Sequence, residues 1–184
     1  GTARQRFAEI ATELAAFSNR FEQNLLDATD GWHLDLTAEP DLEGLPESAR
    51  ALARQTAELA GIEGWRFTLQ APAFIPFMMF SSRRELRREM YHAYVTRASD
   101  GGPNAGRWDN SVVMDRILEL RSEQAALLGY DQYVDYALVT RMATTSANVQ
   151  IFLDDLVDRT RSHARKDLEE LVKFTAQEAP DTEL

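Results

Sequence analysis

Apolar residues recur at three- and four-residue steps from the start of the chain. Phe7, Ile10, Ala11, Leu14, Phe17, Phe21, Leu25 and Ala28 form one stripe when wound at the α-helical period, which predicts a helix to about Ala28. Gly31 ends it, as glycine does just past a helix. Trp32, Leu34 and Leu36 then alternate with His33 and Asp35, the period of a short strand. Pro40 and Gly44 mark a loop. Pro46 suits the first turn of a helix running to about Ala60, closed by Gly61 and Gly64. A second alternating run, Trp65, Phe67 and Leu69, can pair with the first. Pro72 and Pro76 bracket an apolar patch from Phe74 to Phe80.

Ser82 can cap a helix from Arg83 to about Ala98. Residues Ser99 to Trp108 hold Gly101, Gly102, Pro103 and Gly106 and read as a loop. Asp109 or Asn110 caps the next helix, carried by Val113, Ile117, Leu120 and Leu127 and stopped by Gly129. A shorter helix covers about Asp131 to Val139. The last is long, with Val149, Phe152, Leu153, Leu156, Val157, Ala164, Leu168, Leu171 and Val172 as its stripe and Thr145 or Ser146 as its cap. The expected fold class is mainly α, with a short two-stranded β pair. Residues 1–184 are expected to form a single helical region, with the 99–109 loop as the place for any subdivision.

Composition narrows the function classes. The chain has 184 residues and no cysteine, which removes disulfides, thiolate metal sites and a cysteine nucleophile. With 30 acidic and 20 basic residues its formal charge is -10. Such a surface repels phosphate backbones, so nucleic acid is not an expected partner. No stretch approaches the roughly 20 apolar residues of a membrane span, and no membrane partner is expected. The chain begins Gly1-Thr2 and runs out after Glu178-Ala179-Pro180-Asp181. Both ends read as cut, with Gly1 as a cloning remnant.

The candidate chemistry is sparse. His33, His92 and His163 are the three histidines, and none belongs to an H-E-x-x-H pair. Glu89 and His92 form a single E-x-x-H. Di-iron bundles bring together two such motifs with two further glutamates, so the plain reading is a helix with a polar face. The 99–106 loop lacks the Gly-Lys-Ser/Thr of a phosphate loop and follows a helix rather than a strand. It reads as a tight connection whose glycines take positive φ. Arg83, Arg84, Arg87 and Arg88 form two basic rows that Glu85 and Glu89 can pair, against the sharper reading of a contact with an acidic partner. No G-x-S-x-G elbow accompanies the serines, and Glu119 with Glu123 is an ordinary exposed pair. Trp65, Phe67, Phe74, Phe77 and Phe80 read as core, with a groove for an extended peptide as the alternative.

Three strings carry more than periodicity: 69–76 LQAPAFIP, 97–110 RASDGGPNAGRWDN, and 118–121 LELR running into 127–130 LLGY. With 17–21 FSNRF, 25–29 LLDAT and 141–143 RMA, they resemble the oligopeptidase A branch of the thimet-oligopeptidase-like zinc metallopeptidases along nearly the whole chain. The resemblance implies an internal fragment of a much longer, predominantly helical, cytoplasmic enzyme that hydrolyses internal bonds of short peptides. Zinc is the implied cofactor of the parent, bound by an H-E-x-x-H helix and a later glutamate. Those residues have no counterpart here, so the expected catalytic, cofactor-binding and metal residues of this chain are none. The piece would supply helical scaffold and channel wall, inactive alone, with oligopeptides as the parent's partners. Apolar surface covered in the parent would be exposed in isolation, which favours a homodimer or an exchanged helix. Two other readings are a free-standing helical module that binds peptides or proteins without cutting them, and a di-metal bundle resting on Glu89 and His92 alone.

Overall fold

A computed structural model describes residues 1–178. The acidic run at the C-terminal end therefore falls, from residue 179, outside the described residues. The elements in order are α1 (Thr2–Asp30), β1 (His33–Leu36), a 3-10 turn (Glu39–Leu42), α2 (Glu47–Leu59), β2 (Trp65–Thr68), α3 (Ala71–Phe80), α4 (Arg84–Val95), α5 (Ser111–Leu127), α6 (Tyr133–Leu138) and α7 (Ser146–Glu178). The chain is mainly α with one small antiparallel sheet. It divides into two compact units, one over residues 1–121 and one from Ser122 onward, with the division inside α5.

The core of the first unit is built on the strand pair. β1 and β2 run antiparallel, with His33 opposite Thr68, Leu34 opposite Phe67, Asp35 opposite Arg66 and Leu36 opposite Trp65. Alternation sends Leu34, Leu36 and Phe67 to one side, where they are buried. On that side they join Trp32, Leu42, Leu45, Ala53, Leu69, Phe77, Met90 and Ala93 in one apolar cluster. Phe67 meets Phe77 of α3 edge to face, ring centroids 4.8 Å apart. Phe74 stacks on Tyr94 of α4 at 4.0 Å. α2 lends its small face, Ala49, Ala53 and Ala57, and so lies close to β2.

The apolar patch at 74–80, to which the sequence reading assigned no element, lies in helix α3. Pro72 sits in its first turn, where its missing N–H is not needed. Pro76 removes one internal bond, yet Ala73 and Phe74 still donate to the Gln70 carbonyl, and burial of Ala73 and Phe77 holds the segment. α4 also differs. Its cap position is Arg83, without a side-chain cap, and the Ser82 N–H donates instead to the Glu43 carbonyl. It is Ser81 whose Oγ accepts from the Arg83 N–H. The helix stops at Val95, and Ala98, expected inside it, has a φ of 51°. At α7 the Thr145 Oγ1 accepts from the Asn148 N–H, the geometry of an N-cap.

The glycine stops have two different causes. Past α2, the Ile62 N–H donates to the Ala57 carbonyl and the Gly61 N–H to that of Glu58. Past α5, the Tyr130 N–H donates to Ala125 and the Gly129 N–H to Ala126. Both glycines have positive φ, and both ends are Schellman motifs. Gly31 differs: its φ is -80°, open to any residue. A Cβ there would overlap the indole of Trp108. Gly31 is thus the seat of the 99–108 loop on the end of α1.

α1 is less buried than its stripe suggested. Ile10 and Ala28 are buried, Phe7, Leu14, Phe17, Phe21 and Leu25 are half-buried, and Ala11 is exposed. Polar contacts add to its attachment. Asn110, 2% exposed, donates through Nδ2 to the Phe21 carbonyl at 3.1 Å and accepts from Asn24 at 2.8 Å. Arg97 donates to the Thr29 hydroxyl at 2.9 Å.

Two outcomes are expected from denaturant unfolding. Asn110→Ala strands the polar groups of α1 and lowers stability by roughly 1–3 kcal/mol. Gly31→Ala costs about 1–3 kcal/mol by overpacking against Trp108, and in the double variant with Trp108→Ala the two losses sum to less than their separate values because the sites touch.

Candidate functional site

Each candidate residue has a definite place. His33 points along β1 with Nε2 3.5 Å from the Asp35 carboxylate. Glu89 and His92 are both exposed on α4, and His163 is exposed on α7. Among the described residues no group of three or more His, Asp or Glu side chains comes together to hold a metal ion. The arrangement of these described residues therefore does not fit a zinc ion.

The arginine rows reach between elements. Arg83 binds Asp41 of the 3-10 turn at 2.7 Å, and Arg87 donates to the Ser81 carbonyl. The 99–108 loop is a closed connection. Asn110 N–H donates to the Ala98 carbonyl at 3.0 Å and Gly106 N–H to that of Ser99 at 3.1 Å, while Gly102 and Gly106 take positive φ. Phe67 and Phe77 belong to the core, Trp65 and Phe74 pack against it, and Phe80 is half exposed.

The sequence reading missed the contacts between α1 and α5. Glu13 accepts from Arg6 at 2.9 Å and from Arg116 at 2.8 Å, and Arg116 also reaches Glu119 at 2.9 Å. The hydrogen bond from Arg116, then that from Arg6, holds the Glu13 carboxyl below its usual range, and the bonds to Glu13, then Glu119, raise the Arg116 guanidinium. Between α1 and α5 lies a groove of about 370 Å³ whose walls include Phe21, Met114, Ile117 and Leu118. Partners 103 residues apart in the chain leave no local signal in sequence.

Two further carboxylates are shifted the same way. Arg66 forks onto Asp35 with both distances 2.7 Å, lowering it. Asp109 is lowered by accepting from the Ser111 N–H and hydroxyl, which starts α5. None of these groups forms a nucleophile–base arrangement. Their chemistry is to fix helices and strands.

All three carboxyls have folded pKa values depressed below their unfolded ones. Their contribution is present above the unfolded pKa and is lost as pH falls through the folded one. Thermal unfolding followed by circular dichroism should therefore show stability declining below about pH 4. Glu13→Gln and Asp35→Asn together should flatten that decline by removing two of the three linked groups.

Residues 77–184 match the family model for peptidase family M3. Over 180 residues the chain is 47% identical to oligopeptidase A of Haemophilus influenzae, covering 98% of this chain and 26% of that protein. It is 48% identical to oligopeptidase A of Escherichia coli over 174 residues, 95% of this chain and 26% of the relative. A probable cytosolic oligopeptidase A of Arabidopsis thaliana is 38% identical, over 93% of this chain and 24% of its own length. The chain spans about a quarter of the length of these relatives. With strings such as 97–110 folded into the closed loop that seats α1, and with the family match reaching from α3 to the last residue, the chain belongs to peptidase family M3.

Proposed function

We propose that this chain is a non-catalytic region of a zinc-dependent metallo-oligopeptidase that hydrolyses internal bonds of short peptides. The observation that carries the reading is identity of 47% over 98% of this chain with a protein named oligopeptidase A, of which it covers 26%. In this reading zinc and the groups that activate water belong to sequence outside this region. This region contributes helical scaffold: a strand-centred core that positions α2, α3 and α4, and α1 bound to α5 through Asn110 and Arg116. In the assembled enzyme it forms part of a channel wall that admits oligopeptides. The cytoplasm is the proposed compartment, in keeping with the name of the Arabidopsis relative. The formal charge of -10 argues against a nucleic-acid partner.

The test uses the purified 184-residue chain with an internally quenched peptide and zinc in the assay. The expected result is no cleavage above buffer and no stoichiometric zinc after dialysis. The same peptide should be cut when the chain is expressed as part of a protein of its relatives' length. Zinc-dependent cleavage by the short chain, lost on chelation, would overturn the non-catalytic assignment.

A further inference from the structure

The sequence places glycine directly after aspartate at Asp30-Gly31 and at Asp100-Gly101. Such a pair is chemically labile. The aspartate carboxyl and the next backbone nitrogen can close a ring on each other, and glycine offers neither a side chain to block the approach nor a restricted backbone to oppose it. Both aspartates are exposed, so exposure does not separate them. Their hydrogen bonds do.

Asp30 is the last residue of α1. Its carboxylate accepts from the Gln70 side chain at 2.6 Å. The Gly31 N–H is spent on the Asp27 carbonyl at 2.8 Å, and Trp108 packs over Gly31. Ring closure there would break the bond at the carboxylate and the bond at the nitrogen together.

Asp100 lies in the 99–108 loop, just inside its neck. Among the described residues its carboxylate accepts no hydrogen bond. Neither Asp100 nor Gly101 takes part in a backbone–backbone bond, although Ser99 and Gly102 on either side do. The Gly101 N–H has only the Ser99 hydroxyl, at 3.2 Å, a partner that rotates about its own side chain. Nucleophile and carboxyl are therefore both available.

We propose that in the folded chain Asp100-Gly101 converts spontaneously, through a cyclic imide, to an isoaspartyl linkage, and that the fold protects Asp30-Gly31 from the same change. The Gly101 nitrogen attacks Cγ of the protonated Asp100 carboxyl. An N–C bond forms and a C–O bond breaks, and the departing oxygen leaves as water with the carboxyl proton and the N–H proton. Water then opens the imide. Attack at Cγ restores aspartate. Attack at the main-chain carbonyl carbon breaks its bond to the Gly101 nitrogen, so the chain runs on through Cβ and Cγ and a free carboxylate remains. No atom is gained or lost over the sequence, and water is the only co-reactant. The inference stands independently of the peptidase reading.

The test ages the 184-residue chain at neutral pH and physiological temperature. An enzyme that methylates only isoaspartyl carboxyls, with a labelled methyl donor, measures the product. Electron-transfer fragmentation of the digested chain places it. Isoaspartate at Asp100 should exceed that at Asp30 roughly tenfold or more, as the extra bonds broken at Asp30 raise its barrier. In guanidinium chloride the two sites should react at similar rates. Gly101→Ala should slow the reaction at Asp100 several-fold without disturbing the fold. A Cβ there meets Ser99 Oγ at 3.8 Å and Thr96 Cγ2 at 3.9 Å, ordinary contacts, and the backbone is not left-handed. Equal yields at the two sites in the folded chain overturn the proposal. So does an unmodified Asp100 after a time in which the unfolded chain has reacted, or a Gly101→Ala variant that reacts as fast as the parent chain.

Discussion

A ribbon of two short strands is marginal in water by itself, and the first unit is organised by the covering of one face of such a ribbon. Leu34, Leu36 and Phe67 stand on that face. Everything that covers it is brought there by what those side chains require. The alanine face of α2 allows close approach, Phe67 and Phe77 meet edge to face, and Met90 and Ala93 of α4 join the same cluster. On the other face the pair is held by the forked Arg66–Asp35 contact between directly opposed residues. A bidentate guanidinium–carboxylate pair gives orientation as well as attraction. It fixes the register on which the apolar alternation depends, since a slip of one residue would turn Leu34 and Leu36 outward.

α1 obeys a different rule. Apolar contact along its length is partial, and its position is specified by polar groups that must be satisfied once buried. Asn110 is the clearest instance. Its backbone N–H closes the loop at Ala98, its carbonyl accepts the first bond of α5 from Met114, and its side chain serves α1. Leaving any of these unmade inside the protein would cost more than the bond itself contributes. One residue thus ties a loop, a helix start and a neighbouring helix together.

Much of this was legible in sequence, unevenly. The strand pair followed from the alternation of 32, 34, 36 with 65, 67, 69, and the ends of α2 and α5 from glycines that take the left-handed conformation. α3 was not legible, because Pro72 and Pro76 argue against a helix locally while the burial that overrides them comes from residues elsewhere in the chain. Gly31 marked the right boundary for the wrong reason, since the constraint is an indole 77 residues further along. Glu13 with Arg116 and Asn24 with Asn110 pair over long separations, and no periodicity encodes such partners. The site was the least legible part. Candidate residues such as Glu89 and His92 lie exposed on a helix, and the functional reading rests on whole strings such as 97–110, whose side chains serve loop closure and helix attachment.

That loop closes on itself at its base. The backbone bond from Asn110 to Ala98 and the one from Gly106 to Ser99 form a neck, so the chain leaves and returns at nearly the same point. Cyclic geometry of this kind makes the tip, around Pro103 to Ala105, independent of the helices it joins. Lengthening a segment whose ends are already pinned adds only a slowly growing entropy cost. The tip is therefore where a peptide tag can be inserted while the neck and Trp108 keep α4 and α5 in place.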